Sequence, residues 1–193
     1  ARETKVGSKA FTESVILGEI VTQLIASSEV KTIHRSQLGG TRILWEALKA
    51  GEIDVYPEYT GTLTNEILAR HRFETDKQQK EFLIGLGLQL GPSIGFNNTY
   101  ALAVTESTSL GLGLYSISDL TAHPELSFGF SNEFMDRQDG WPGLKAAYLL
   151  SQKDIFGLDH DLAYRGLVAE GIDVTDVYST DAEIKYYNLT VLE

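Results

Sequence analysis

Two segments of the chain carry the same pattern of residues. The first reads Ile53-Asp-Val-Tyr-Pro-Glu-Tyr-Thr-Gly-Thr62 and the second reads Ile172-Asp-Val-Thr-Asp-Val-Tyr-Ser-Thr-Asp181. Each follows a stretch with helical spacing, so each predicts a helix, a buried strand, a Tyr at the strand's carboxyl end and a hydroxyl that caps the next helix. In open α/β sheets, ligands bind at the carboxyl ends of the strands. The repeat predicts two similar lobes that each present a Tyr to a shared cleft; the alternative is chance recurrence of a common tripeptide.

The composition is that of an ordinary globular protein. The 193 residues, of which 42% are hydrophobic and 22% are charged, suffice for one large domain or two small ones. The chain has no Cys, which excludes thiolate metal sites, Cys nucleophiles and disulfides. No apolar run approaches the length of a membrane span.

Acidic residues are concentrated in the second half of the chain. Residues 1–98 hold 11 Lys and Arg against 12 Asp and Glu, whereas residues 99–193 hold 5 against 15, for a net charge of −11. This balance argues against nucleic acid as a partner, because phosphates require a basic face. It mildly favours a cationic ligand, although a solvated acidic surface explains most of these charges equally well.

Strand and helix patterns alternate along the chain, which predicts a mostly parallel sheet. The predicted strands are residues 3–7, 30–34, 53–55, 100–104, 126–130, the second Ile-Asp-Val segment and 189–192. The predicted helices are residues 11–26, 41–50, 62–70, 76–88, 141–150, 161–170 and two short ones that begin at Ser118 and Ser179, with a Ser/Gly-rich loop at 105–113. A turn at Asn97-Asn98 breaks the alternation and predicts a crossing between lobes, so we assign residues 1–98 to the first lobe and 99–193 to the second.

The first predicted helix is amphipathic. Its apolar positions at helical spacing are Val15, Ile16, Ile20 and Leu24, and its predicted solvent side carries Glu13 and Glu19. We therefore expect the apolar positions to face the core.

Two cationic side chains are candidates for anion binding. Lys9 follows the first strand in Gly7-Ser8-Lys9 and precedes a helix, where backbone N–H groups and an ammonium can hold an anion; a solvated surface Lys is the alternative. The segment lacks the rest of a phosphate loop or dinucleotide fingerprint, which argues against ATP and NAD. Arg137 follows a strand and can bind a carboxylate through two parallel hydrogen bonds, or else it pairs with Asp136 or Asp139.

Three tyrosines, Tyr59, Tyr100 and Tyr178, fall at predicted strand ends or at the crossing. Aromatic faces around a void hold a quaternary ammonium by cation–π attraction, since such a cation has no N–H group for hydrogen bonds. The alternative is that these rings pack beneath loops with their hydroxyls hydrogen-bonded.

The segment 159–161, Asp-His-Asp, has the residues of acid–base or metal chemistry, but a helix N-cap is the simpler interpretation. The four His residues of the chain are too scattered in the sequence for a metal cluster.

Taken together, these segments resemble the substrate-binding proteins of ABC importers for glycine betaine, choline and related osmoprotectants. The resemblance covers essentially the whole chain and rests on Gly7-Ser-Lys-x-Phe-Thr-Glu13, Gly39-Gly-Thr41 through Tyr59-Thr-Gly-Thr62, Asn98-Thr-Tyr100, Arg137-x-Asp-Gly-Trp141, Asp161-Leu-Ala-Tyr164 and Asp176-Val-Tyr-Ser-Thr-Asp181. It implies an α/β, periplasmic-binding-protein-like fold of type II, with two lobes and a ligand cleft between them. It also implies a non-enzymatic receptor without a cofactor, which delivers its ligand to an ABC permease. The receptor is expected in the periplasm or elsewhere outside the cytoplasm, either free or held at the membrane by an anchor or partner.

The resemblance also assigns roles to individual residues. Position by position, it implies an aromatic cage of Tyr59, Tyr100 and Tyr178 around the trimethylammonium head. The residues that it implies for the ligand carboxylate are Lys9, Thr62 and Arg137. Asn98 stands beside the cage where some members carry an acidic residue, which leaves the choice between betaine and choline open.

Members of that family continue past the position of Glu193, return to the first lobe and add a further cage Tyr there. For the chain as given, the resemblance therefore implies a first lobe without its returning segment, weaker ligand binding, and exposed apolar surface that favours a dimer. A truncated member that keeps the fold but not the binding is the second hypothesis. An α/β enzyme that uses residues 159–161 is the third, disfavoured because no nucleophile is held against an oriented base.

Overall fold

A computed structural model describes residues 3–193 of the chain. The chain forms two compact units, the first ending at Asn97 and the second running from Asn98 to Glu193. Within the described residues, no helix combines the length and apolar character needed to cross a membrane.

The first unit alternates strands and helices. Its elements are β1 (Thr4–Gly7), α1 (Thr12–Ala26), β2 (Thr32–Arg35), α2 (Thr41–Lys49), α3 (Thr60–Thr62), a π-helical turn (Leu63–Ile67) and α4 (Asp76–Gly85). Strands β1 and β2 are parallel, and Val6 of β1 also forms a single parallel bridge with Val55. The strand predicted at residues 53–55 is thus reduced to one bridge. The helix predicted at 62–70 begins earlier, at Thr60, and widens into the π-helical turn.

Helix α1 is correctly placed by its spacing, but the prediction of its buried face is wrong. Its fully buried positions are Ser14 and Gly18. Of the four side chains expected in the core, Ile16, Ile20 and Leu24 are 53%, 56% and 68% exposed, and Val15 is partly buried. Glu13, expected on the solvent side, is partly buried and accepts a hydrogen bond from Tyr59. The small residues face inward because β2 lies close to the helix; a Cβ added at Gly18 would lie 2.5 Å from Nε2 of His34.

The second unit is built on one five-stranded sheet. Its strands are β3 (Tyr100–Thr105), β4 (Phe128–Ser131), β5 (Ile155–Leu158), β6 (Val174–Tyr178) and β7 (Leu189–Leu192), in the order β5-β4-β6-β3-β7. Strands β5, β4 and β6 are parallel, whereas β3 is antiparallel to both β6 and β7. The sheet is therefore mixed, not mostly parallel, and β5 was absent from the sequence prediction.

Five α-helices and one 3₁₀-helix flank this sheet. They are α5 (Glu106–Leu112), the 3₁₀-helix (Ile117–Ala122), α6 (Asn132–Asp136), α7 (Trp141–Tyr148), α8 (His160–Val168) and α9 (Ala182–Tyr186). The loop predicted at 105–113 is wrong, because Thr105 caps α5 by accepting the N–H of Thr108 and Gly113 ends the helix in the left-handed conformation. The 3₁₀-helix is capped by Ser116, not Ser118.

The repeated sequence pattern corresponds to a repeated local structure. Asp54 accepts the N–H of Lys5 at 2.8 Å and donates its own N–H to the carbonyl of Lys5 at 2.8 Å. Asp173 makes the same two bonds with Ser127, both at 2.8 Å. Asp54 thus pairs with the second residue of β1, and Asp173 pairs with the residue just before β4. The hydroxyl caps predicted after each Tyr are wrong, because neither α3 nor α9 has a side-chain cap.

Candidate ligand-binding site

The first group of candidate residues, which we term the Lys9 cluster, consists of Lys9, Thr41, Glu58 and Tyr59. Lys9 lies just beyond the end of β1, where its N–H donates to Oγ of Ser14 at 2.8 Å and so ties the loop to α1. Its Nζ donates to Oε1 of Glu58 at 2.7 Å and to Oγ1 of Thr41 at 2.9 Å. Lys9 is only 3% exposed, so the alternative of a solvated surface Lys is wrong.

Burial of the Lys9 charge is tolerated because the charge is paired and hydrogen-bonded. An ammonium has three N–H donors, and the two acceptors above engage two of them. In the part of the chain that the structure describes, Oε2 of Glu58 is buried without a hydrogen-bond partner. The cluster is therefore built around a buried ion pair.

Tyr59 is anchored at both ends beside this ion pair. Its hydroxyl donates to Oε1 of Glu13, and its N–H donates to Oε1 of Glu58 at 2.8 Å. Nζ of Lys9 lies 5.6 Å from the centre of the Tyr59 ring, and the ring of Phe11 lies 6.0 Å away. Thr62, the last residue of α3, is buried within the same turn region. The first unit thus holds one aromatic ring rigidly next to a buried cation.

The second group, which we term the Tyr178 cluster, consists of Tyr100, His160, Tyr164, Tyr178 and Asp181. Tyr100 begins β3 and Tyr178 ends β6, and the antiparallel register places them directly opposite each other. Their ring centres are 5.2 Å apart at an interplanar angle of 63°, an edge-to-face pair. Burial is the main cause that raises the pKa of both hydroxyls above the ordinary Tyr value. Both phenols therefore stay neutral at physiological pH.

Arg137 lies beside Tyr100, with its guanidinium carbon 5.4 Å from the ring centre. It is buried and forms two parallel bonds to Asp139, 2.8 Å from Nε to Oδ1 and 2.7 Å from Nη2 to Oδ2. The alternative of pairing with Asp139 is therefore realised in the structure. This fork uses two of the five N–H donors of the guanidinium and fixes its plane.

The side chains that support Tyr178 were not predicted from the sequence. The ring of His160, at the start of α8, stacks on Tyr178 with 4.1 Å between ring centres and 20° between planes. Oδ2 of Asp181 accepts three bonds, from Nε2 of His160 at 2.8 Å, the hydroxyl of Tyr164 at 2.6 Å and the N–H of Tyr178 at 3.0 Å. One signal was available, since His160 and Tyr164 are four residues apart and share one face of a helix.

The segment 159–161 does cap a helix, as the simpler interpretation held. Oδ1 of Asp159 accepts the N–H of Asp161 at 3.2 Å at the start of α8.

Asn98 lies at the crossing, where its Oδ1 accepts from Oγ of Ser179 at 3.4 Å. Thr99 and Ser179 exchange two further bonds, of 3.0 and 2.9 Å. Hydrogen bonds thus connect Thr99, which precedes Tyr100, to Ser179, which follows Tyr178.

A cavity of about 260 Å³ adjoins Tyr100 inside the second unit. It is lined by Tyr100, Ala101, Leu102, Ile117, Phe134, Asp139, Gly140, Gly143, Leu144 and Ala147. The walls are mainly apolar, and the carboxylate of Asp139 at this cavity already pairs with Arg137.

Comparison with known proteins gives a consistent result. Residues 2–193 match the family described as the substrate binding domain of the ABC-type glycine betaine transport system. The chain is 35% identical over 198 residues to the ergothioneine transport permease/ergothioneine binding protein EgtU of Helicobacter pylori, covering 97% of this chain and 35% of that protein. It is 31% identical to the carnitine transport binding protein OpuCC of Listeria monocytogenes, covering 98% of this chain but 64% of that protein. The chain thus spans from about a third to just under two thirds of the length of these two relatives.

Solved structures agree on the fold. A crystal structure of a glycine betaine/carnitine/choline ABC transporter protein matches with a TM-score of 0.67 at 28% identity, over 100% of this chain and 73% of that chain. A lactococcal OpuAC in its closed-liganded conformation with glycine betaine matches with a TM-score of 0.64 at 15% identity, over 100% of this chain and 71% of that chain, which shows the fold alone. The predicted periplasmic-binding-protein-like fold of type II is confirmed. The chain belongs to the family of substrate-binding domains of ABC-type glycine betaine transport systems.

Proposed function

We propose that this chain is a non-enzymatic receptor for a trimethylammonium carboxylate, which it presents to an ABC permease outside the cytoplasm. The observation that carries this proposal is that each unit places an aromatic ring beside a buried cation: Tyr59 beside Lys9, and Tyr100 beside Arg137. The named ligands of the relatives, ergothioneine, carnitine and glycine betaine, share one trimethylated nitrogen and one carboxylate. A ligand with these two groups matches both kinds of side chain.

The methylated nitrogen requires rings because it offers no N–H donor. In this proposal Tyr59, Tyr100 and Tyr178 provide the π faces that attract it. The raised pKa of Tyr100 and Tyr178, caused mainly by burial, keeps these rings neutral. They therefore act through their faces and not through phenolate charge.

The carboxylate requires cations that are already desolvated. Lys9, Thr62 and Arg137 fill this role in the proposal, with Lys9 held by Glu58 and Arg137 held by Asp139. Asn98 adds no negative charge beside the rings. Two buried cations and a neutral Asn98 favour a zwitterion such as glycine betaine over choline.

Calorimetry with matched ligands tests the proposal. Glycine betaine should bind more tightly than choline if the carboxylate residues act as proposed. Choline should bind about 2- to 30-fold more tightly than 3,3-dimethylbutanol, its uncharged isostere, if cation–π attraction acts. Carnitine and ergothioneine in the same titrations identify the preferred member of the class.

Variants assign the binding to the proposed rings. Tyr59→Ala and Tyr178→Ala should each abolish most of the affinity for glycine betaine. Tyr115→Ala is the matched control, because Tyr115 is 58% exposed and lies outside both clusters. No binding of any ligand in the series, or binding that is indifferent to Tyr59→Ala and Tyr178→Ala, would contradict the proposal.

We also propose that the first unit supports self-association. The exposed residues Ile16, Ile20 and Leu24 recur every four positions along α1 and form one apolar stripe. Light scattering should give a dimer mass for the native chain and a monomer mass for Ile20→Glu. A monomer at all concentrations would exclude this part of the proposal.

A further inference from the structure

We propose that His160 is a positioning residue for Tyr178 whose protonation weakens the binding of a quaternary ammonium ligand, so that affinity depends on pH. This inference rests on the proposed function, because it presumes that Tyr178 contacts the ligand cation. It assigns a role to a side chain that stands behind the ring.

The geometry of the Tyr178 cluster determines the state of the imidazole. Nε2 of His160 lies 2.8 Å from the carboxylate oxygen of Asp181, so Nε2 carries the hydrogen in the neutral ring. Nδ1 is buried and has no hydrogen-bond partner among the residues that the structure describes. An added proton would therefore reside on Nδ1, within the stack of the two rings. The centres of the His160 and Tyr178 rings are 4.1 Å apart.

Acidic groups from three elements face His160. They are Asp181 before α9, Asp176 on β6 and Asp161 on α8, and the neutral hydroxyls of Tyr164 and Tyr178 complete the set. Burial lowers the pKa of His160, but the hydrogen bond to Asp181 and the three negative charges raise it by more, so that its pKa lies above the ordinary His value. The protonation transition of His160 is therefore shifted to higher pH than that of an ordinary His.

Protonation places a positive charge on one face of Tyr178. A ligand cation bound to the ring face opposite His160 would then lie roughly 8 Å from the imidazolium. Their repulsion, at an effective dielectric between those of protein and water, weakens binding by on the order of 3- to 30-fold. The neutral imidazole lacks this charge and leaves the ring as a cation–π acceptor. Affinity should therefore rise as pH increases through the pKa of His160.

Protonation of His160 changes folding stability in the direction opposite to its effect on ligand affinity. The two pH effects can therefore be told apart. Because the pKa of His160 is raised in the folded state, the group stabilises the fold at low pH, and this contribution is lost as pH rises through its folded-state value. Weak binding at low pH is thus not a consequence of unfolding caused by this residue.

The experiment measures the affinity of the 193-residue chain for glycine betaine and choline between about pH 5.5 and about pH 8.5. The native chain should gain roughly tenfold in affinity across this range. His160→Gln retains an N–H donor for Asp181 but does not titrate, so its affinity should be flat with pH. His123→Gln is the matched control, because His123 pairs with Glu125 away from the cluster, and it should keep the native slope.

NMR provides a readout that needs no ligand. The ring resonances of Tyr178 should shift with the same midpoint as those of His160 in the native chain and should lose that transition in His160→Gln. Binding with a flat pH profile, or a slope retained in His160→Gln, would overturn this inference and leave the receptor proposal intact. Failure of both ligands to bind at any pH would overturn the receptor proposal as well.

Discussion

Gly7 and Gly129 occupy the same position in two copies of one packing arrangement. A Cβ at Gly7 would lie 2.6 Å from Cδ1 of Ile53, and a Cβ at Gly129 would lie 2.4 Å from Cδ1 of Ile172. These two Ile residues begin the repeated segments of the sequence. In each unit, the absence of a side chain lets Ile cover the backbone of the neighbouring strand, so the repeat in the sequence is a repeat in the packing.

Gly129→Ala should destabilise the second unit by about 1–3 kcal/mol. The added methyl overlaps Ile172 and also approaches Cδ1 of Leu158 at 2.9 Å, so both side chains must leave their packing. Denaturant unfolding measures the effect, and Ile172→Val in the same chain should recover part of the loss by removing the clashing Cδ1. Gly111→Ala is the control, because no atom lies within 4 Å of its added Cβ. If both Ala variants have the native stability, the close approach at Gly129 does not constrain the fold.

Asp176→Asn should stabilise the chain at neutral pH. Burial raises the pKa of Asp176, and the hydrogen bonds from Ser131 only partly offset this, so the charged form is penalised in the folded state. An Asn can still accept the N–H of Ser131, and its amide can donate to Oγ, which preserves both contacts.

The pH dependence of this gain has a definite sign. Because the folded pKa of Asp176 is raised, the native chain takes up a proton and recovers stability as pH falls through that value. The advantage of Asp176→Asn should therefore shrink on acidification. Thermal unfolding at several pH values measures it, and a constant difference at all pH values would show that the carboxylate does not titrate as argued.

Gln152→Met should cost about 1–3 kcal/mol, although it keeps the side-chain volume. Nε2 of Gln152 donates to the carbonyls of Leu120 at 2.6 Å and His123 at 3.1 Å, and the residue is buried. Loss of this donor removes one of the two hydrogen bonds that each carbonyl accepts, and leaves only the bonds from the backbone N–H groups of His123 and Leu126. Hydrogen exchange at residues 117–123 should accelerate. The control is Gln138→Met at an exposed position, and equal stability of the two variants would contradict the prediction.

Asp119→Asn should make the second unit less sensitive to acid. Hydrogen bonds from the backbone N–H groups of Tyr115 and Ser116, and then from the hydroxyl of Ser116, lower the pKa of Asp119. A lowered pKa contributes stability above the ordinary Asp value that is lost as pH falls through the folded value. The melting temperature of the native chain should drop toward that of Asp119→Asn at low pH. A gap between them that does not change with pH would be inconsistent with this assignment.

Local patterns in the sequence predicted most elements but not their partners. The spacing of apolar residues placed α1, yet the buried face proved to be Ser14 and Gly18, because the face of an isolated helix is chosen by what packs against it. Strand β5 has no alternating pattern and is defined only by its pairing with β4. Helix α5 was missed because Ser and Gly propensity outweighed the cap signals at Thr105 and Gly113.

By itself, the sequence determined the two repeated segments that each follow a helix, and the candidate tyrosines, because periodicity and motif spacing are local properties of the chain. Only the tertiary structure decided how those residues are held. Asp181 accepts hydrogen bonds from His160, Tyr164 and Tyr178, and no sequence pattern predicts three donors that converge on one oxygen. The physical reason is that such convergence depends on how β6, α8 and the turn before α9 pack together, and that packing is non-local.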